Sequence, residues 1–170
     1  GGHTELVLMK DHFDFQLLGE TLDDAVGEAY DKVARVVNVG YPGGPILDKM
    51  AALGEPTYQL PHIKLGKDSY NFSFSGLKSA VINLYHKTEE KGEKLDYNNL
   101  AASFQSAVID VLVSKTKKAA LEYQVKQVII AGGVAANKGL RSAMKETMDE
   151  LGIKLVVPSF KYCTDNASMI

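Results

Sequence analysis

The apolar positions come first in strand-length runs and then at helical spacing. Thr4 to Lys10 (TELVLMK) is short and apolar enough to predict a strand, Asp11 to Asp14 a turn, and Phe15 to Gly19 the returning strand of a hairpin. From Asp23 to Val37 the period changes: Ala25, Val26, Ala29, Tyr30, Val33, Ala34 and Val37 recur at helical spacing, with Thr21 and Asp23 as N-cap candidates. Three glycines and two prolines in Gly40–Pro45 predict a loop, after which Pro45 opens a short helix that runs to Leu53 and stops at Gly54. Leu60 to Leu65 is a candidate strand, and Asn71 to Phe74 predicts another short one. Ser75 is placed as the cap of a helix from Gly76 to Glu89. A charged connection, Glu89 to Lys94, leads to the longest helical pattern, Tyr97 to Gln124, with Leu100, Phe104, Val108, Val111, Leu112 and Ala119 on one face.

The last third reads as strand, glycines, helix, strand. Val125 to Ala131 (VKQVIIA) predicts a buried strand, Asn137 to Leu151 a helix capped by Gly152, and Ile153 to Val157 a second buried strand. Such a βαβ unit sets its two strands parallel. A hairpin, then helices, then βαβ predicts one α/β domain with a mixed sheet and flanking helices. Strand order is not legible at this level.

Composition refines this only slightly. The 170 residues are 45% hydrophobic and 24% charged, enough for one globular core. The formal net charge of −2 argues against affinity built on phosphate contacts alone, so any RNA would be met through a local patch, another domain or a partner. The basic run Lys115, Lys117, Lys118 and Lys126 predicts a solvated face before an RNA patch. A single cysteine, Cys163, excludes an internal disulfide and a four-cysteine zinc site, and fits a reducing compartment. No apolar run reaches membrane-spanning length, and no signal-peptide pattern is present. The abrupt start and the helix-like final residues suggest a piece of a longer protein.

Candidate chemistry lies at the glycines and at a few acids. Gly1-Gly2 precedes a strand and Gly132-Gly133 follows one; each pair is either a tight turn or a place where backbone approaches a phosphate or nucleoside. The second pair sits at the carboxyl end of a parallel strand, where open α/β sheets bind ligands. Asn137 is either a helix N-cap or a nucleoside contact. Among the acids after Thr21, Asp31 stands two turns into its helix, where a dipole argument covers it less well, and is either simply exposed or placed to reach a hydroxyl or a metal. Asp165 is either an N-cap or a hard metal ligand. His3, His12, His62 and His86 are too scattered to form a local zinc site. No serine has a G-x-S-x-G setting, and Cys163 has no evident activating partner.

Six blocks in order carry a resemblance. They are Gly1–Thr4 (GGHT), Gly19–Lys32 (GETLDDAVGEAYDK), Gly40–Pro45 (GYPGGP), Phe72–Lys78 (FSFSGLK), Ala131–Asn137 (AGGVAAN) and Cys163–Ile170 (CTDNASMI). Together they resemble the TsaD family (also called Gcp or YgjD), whose members transfer a threonylcarbamoyl group onto tRNA. The resemblance implies an RNase H-like lobe of the actin, Hsp70 and sugar-kinase (ASKHA) superfamily, with residues 1–170 forming most of the second of two lobes. It implies that Gly1, Gly2 and His3 line a phosphate-binding turn, that Asp31 and Gly44 contact substrate, that Gly132, Gly133 and Asn137 hold adenosine, and that Asp165 is a metal ligand. The metal, iron or zinc, would be completed by histidines of the first lobe, and threonylcarbamoyl-AMP or another adenine nucleotide would be the ligand. The implied partners are tRNA, a TsaB-like paralogue and a small TsaE-like ATPase, in the cytoplasm and away from membranes. With half the cleft absent, this chain alone is expected to be inactive and to bind nucleotide weakly. Two other functions stand beside the transferase: a metalloprotease, although no H-E-x-x-H occurs in the chain, and an ATP-dependent kinase of the same superfamily.

Overall fold

In a computed structural model the described residues are 2–61, 65–66 and 68–164. They open with a hairpin, β1 (Glu5–Asp11) antiparallel to β2 (Asp14–Glu20). Two helices follow, α1 (Val26–Val36) and α2 (Gly43–Ala51), and then a second helical pair, α3 (Ser75–Glu90) and α4 (Tyr97–Glu122). The βαβ unit is β3 (Gln127–Ile129), α5 (Lys138–Glu150) and β4 (Lys154–Val156), with β3 and β4 parallel as the sequence predicts.

The α/β class holds, but among the described residues the strands stand in two separate two-stranded sheets rather than one mixed sheet. The Asn71–Phe74 stretch contributes a single bridge, Phe72 to Thr21. β3 and β4 are three residues each, shorter than their apolar runs, and are not fully buried: Ile129 is 58% exposed. An apolar run marks affinity for a core on both faces; here α5 covers one. The Leu60–Leu65 stretch lies partly outside the described residues.

The main core is helical. Tyr30, Val33, Leu47, Phe74, Leu77 and Phe104 meet where α1, α2, α3 and α4 cross, and Tyr30 and Phe104 pack edge to face at 5.1 Å between ring centroids. A second cluster, Leu140, Met144 and Met148, seats α5 on α4 and the β3–β4 pair.

The starts of α1, α2 and α3 depart from the local reading in a systematic way, while α4 starts at Tyr97 and α5 follows its Asn137 cap as read. The N-cap of α1 is Ala25, not Thr21 or Asp23; Val26 N–H donates to Thr4 Oγ1 at 3.0 Å, and Ala25 N–H donates to Glu28 Oε2 at 2.9 Å. Asp23 instead turns to α3 and accepts from the amides of Phe74 (2.8 Å) and Ser75 (3.2 Å) and from the Ser73 hydroxyl. Ser75 is therefore the first helical residue and not the cap. α2 starts at Gly43, ahead of Pro45, because Asp31 of α1 accepts from Gly43 N–H at 2.8 Å. Gly43 is there for space: a Cβ would stand 2.7 Å from both Ala34 Cβ and Tyr30 O. Asp48 of α2 caps α5 likewise, accepting from Lys138 N–H at 3.0 Å. Carboxylates distant in sequence thus satisfy helix amides that would otherwise be orphaned.

Candidate functional site

One face of α1 organises the candidate site. At its start, Thr4 is held twice, by Val26 N–H on its hydroxyl and by Thr21 N–H on its carbonyl at 2.9 Å. That pin sets exposed Gly2 and His3 beside the first turn of α1. Gly27, in the same turn, meets the 3-10 turn that follows β3: a Cβ on Gly27 would lie 3.8 Å from Val134 Cγ2. Asp31 is four residues beyond Gly27 and so shares its face. It leads directly to Gly43 and Gly44 at the start of α2.

The turn itself is Gly132 followed by the 3-10 segment Gly133–Ala136. Gly132 has φ of +90°, a backbone state that L side chains rarely adopt, and both glycines are exposed. A Cβ on Gly132 would meet nothing within 4 Å, and one on Gly133 would reach only Cys163 O at 4.0 Å. The backbone is therefore open to a flat or anionic ligand on that side. Thr4, Val134 and Gly43 each meet α1, and they are the chain neighbours of His3, of Gly132 and Gly133, and of Gly44, so segments from both ends of the sequence converge on this helix. Gly1 and Asp165 lie outside the described residues, as does His62.

Two of the expected ligand contacts already have work within the fold. Asn137 is 9% exposed: its Oδ1 accepts from Leu140 N–H at 2.8 Å, capping α5, and its Nδ2 donates to Gln105 Oε1 at 2.7 Å. Of the two readings left open by the sequence, the N-cap is the one seen. The same Gln105 oxygen accepts from Tyr30 Oη at 3.0 Å, and Gln105 Nε2 donates to Asp48 Oδ1 at 3.0 Å. Tyr30, Gln105 and Asn137, all buried, and the half-buried Asp48 thus form one network joining α1, α2, α4 and α5. Burial, reinforced by the negative charge of Asp48, pushes the Tyr30 phenol far above its usual range, so Tyr30 is a neutral donor. Asp31 spends Oδ1 on Gly43, and it lines an open depression with Ala34, Arg35, Asn38, Gly40 and Tyr41. That depression keeps a substrate contact geometrically open.

Other acids are structural. Burial pushes the Asp24 carboxyl up, but hydrogen bonds from Lys32 and Lys78 outweigh it and hold the group below its usual range. Lys78 Nζ is 2.7 Å from Asp24 Oδ2. Among the described residues no three His, Cys, Asp or Glu side chains gather to hold a metal ion. These residues therefore do not by themselves fit a metal.

Sequence reasoning missed Gln105, Asp48 and Arg141. Cys163, which the sequence left without a partner, lies 3.1 Å from Arg141 Nη2. The Asn137–Arg141 spacing of one helical turn after the glycines was the only local signal.

Comparison with known proteins shows the family. The family model "TsaD: tRNA N6-adenosine threonylcarbamoyltransferase" matches residues 1–170. Curated proteins of that description are 59% identical in Halalkalibacterium halodurans and 60% identical in Bacillus subtilis, each match covering 100% of this chain. The chain spans about half the length of these relatives, 50% and 49% respectively. Among solved structures, HypF from T. kodakarensis superposes with a TM-score of 0.63 at 16% identity over 91% of this chain and 19% of its own. A full-length HypF in its phosphate- and nucleotide-bound form gives 0.61 at 18% identity over 83% of this chain and 18% of its own.

Proposed function

The chain belongs to the TsaD family of tRNA N6-adenosine threonylcarbamoyltransferases, and from that membership we propose that it is the second lobe of such an enzyme and supplies one wall of its nucleotide cleft. The full-length protein transfers the threonylcarbamoyl group from threonylcarbamoyl-AMP to the exocyclic amine of the adenosine 3′ of the anticodon. The amine nitrogen attacks the carbamoyl carbon, the bond from that carbon to the phosphate oxygen breaks, AMP leaves with the electron pair, and the amine gives up one proton.

The observation that carries this reading is the open Gly132–Gly133 backbone, whose turn meets α1 through Val134, with Thr4 pinned to the start of that helix and Asp31 bonded to Gly43 further along it. Glycine amides approach phosphate and nucleoside closely because no side chain stands between. Asp31 keeps a second carboxylate oxygen for a sugar-like hydroxyl. The chain's part in the reaction is to bind and orient the adenylate; effective concentration and alignment are themselves a large share of catalysis. Gly1 extends the phosphate turn, and Asn137 acts on adenosine through the position it gives α5 and the glycine turn. Asp165 would serve as one ligand of iron or zinc, with the remaining ligands outside this chain.

The partners proposed are tRNA, a TsaB-like paralogue and a TsaE-like ATPase, in the cytoplasm. No helix among the described residues is long and apolar enough to cross a membrane. The test is direct. Incubate the full-length protein and partners with threonylcarbamoyl-AMP and unmodified tRNA, digest, and seek threonylcarbamoyladenosine by mass spectrometry. Product that falls at least about tenfold with Asp31→Ala supports the reading. No product, where a known transferase works, would contradict it and reopen the kinase and protease alternatives.

A further inference from the structure

We propose that Arg141 is a positioning residue for the bound nucleotide: it fixes the Gly132–Ala136 turn to the Pro158–Cys163 segment and so sets where the glycine backbone meets the ligand. This rests on the nucleotide reading above. The turn is made of Gly, Gly, Val, Ala and Ala, and has little side-chain mass with which to hold itself. Val134 anchors it to α1 on one side. Arg141 anchors it on the other, donating from Nε to Ala135 O at 2.5 Å.

The same guanidinium donates from Nη2 to Pro158 O at 2.9 Å and approaches Cys163 Sγ at 3.1 Å. Its carbon stands 4.1 Å from the centroid of the Phe160 ring. Among the described residues it makes no ion pair with a carboxylate, so its donors serve backbone carbonyls. A planar fork suits such bridging, because two edges reach two loops at fixed spacing while the face stacks on a ring. Lysine offers one point charge and reaches one loop at a time. Asn137 is one turn earlier, and its carbonyl accepts from Arg141 N–H at 3.1 Å, so the capped first turn of α5 aims the guanidinium.

Misplacement of binding groups by an ångström costs up to about a hundredfold, so a loosened turn shows in nucleotide affinity before chemistry. The experiment uses the full-length protein with its partners, comparing wild type, Arg141→Lys and Arg141→Gln. AMP binding is measured by calorimetry, KM and kcat with threonylcarbamoyl-AMP, and folding by circular dichroism melting. Both variants should weaken AMP binding and raise KM by about tenfold or more, with kcat changed by less than about threefold. Arg141→Lys with wild-type KM and AMP affinity would overturn the proposal, as would loss confined to melting temperature. Should Arg141→Gln fail to fold, Phe160→Leu, which leaves every donor in place, takes its role: a rise in KM supports the proposal and an unchanged KM opposes it. A wild-type protein that makes no product and binds no AMP would instead remove the functional reading on which the proposal stands.

Discussion

At the scale of single residues, what matters is which polar groups already have partners. Asn137 has both ends of its amide engaged and is 9% exposed, so replacing it should cost stability as well as affinity. Asn137→Ala removes a cap and leaves Gln105 short of a donor, and about 1–3 kcal/mol should be lost, read by urea unfolding of the full-length protein. Gly139→Ala tests the same junction by bulk. Its Cβ would stand 2.7 Å from Gln105 Nε2 and 3.0 Å from Ile109 Cδ1, so a loss of about 1–3 kcal/mol is expected by the same measurement. A Gly139→Ala variant as stable as wild type would mean that the junction is looser than drawn. The cap at Asn137 was one of two readings open in the sequence, and its link to Gln105 was not legible. Gln105 reads as a polar residue within a long helix, and its partners lie 57 and 75 positions away in Asp48 and Tyr30.

At the scale of elements, the helices were legible, as were the caps of α5 at Asn137 and Gly152, but the caps of α1 and α3 were not. Apolar periodicity gave α1, α4 and α5 to within three residues, because a helix buries one continuous face. Those caps failed because the sequence was searched locally, while Asp23, Asp31 and Asp48 each serve a helix other than the one nearby. The hairpin strands were read to within a residue at each end, whereas the lengths of β3 and β4 failed for a related reason: pairing ends where the neighbour ends, and an apolar run does not record that. The basic run was half right. Lys115 donates to Ser69 O and is partly buried, which lowers its pKa with the help of the Lys118 charge, while Lys118 stands over the Tyr70 ring. The cap on α3 has a pH signature. Burial pushes the Asp23 carboxyl up, but the Ser73 hydroxyl and the Phe74 and Ser75 amides outweigh it and hold it below its usual range. Its stabilising effect is therefore complete above the unfolded carboxylate pKa of about 3.9 and lost as pH falls through the lower folded value. Asp23→Ala should cost about 0.5–2 kcal/mol near neutrality, with the gap from wild type narrowing below about pH 4 in melting experiments. A gap that widens in acid would contradict the assigned hydrogen bonds.

At the scale of the molecule, the chain shares its fold with part of HypF and has about half the length of its curated relatives. The hairpin carries Val7 opposite Leu17 and Met9 opposite Phe15, all 45–58% exposed on one face. Expressed alone, the chain should self-associate through such surface, and Met9→Glu with Phe15→Lys should reduce this in sedimentation velocity. If, as proposed, it offers one wall of a cleft, alone it should also bind adenine nucleotide more weakly than micromolar. The family and the candidate glycines were readable because their motifs are contiguous. The shared helix face was not, since it depends on Thr4, Gly27 and Asp31 meeting loops from both ends of the chain.

The central claim is that the Gly132–Gly133 backbone receives the nucleotide. Gly133→Leu in the full-length protein tests it most directly, because a Cβ there meets only Cys163 O at 4.0 Å and leaves the fold room. AMP affinity by calorimetry should fall by about tenfold or more while the melting temperature holds, since a side chain would occupy the approach that the glycine leaves open. Wild-type affinity in a folded Gly133→Leu variant would place the nucleotide elsewhere and contradict the account.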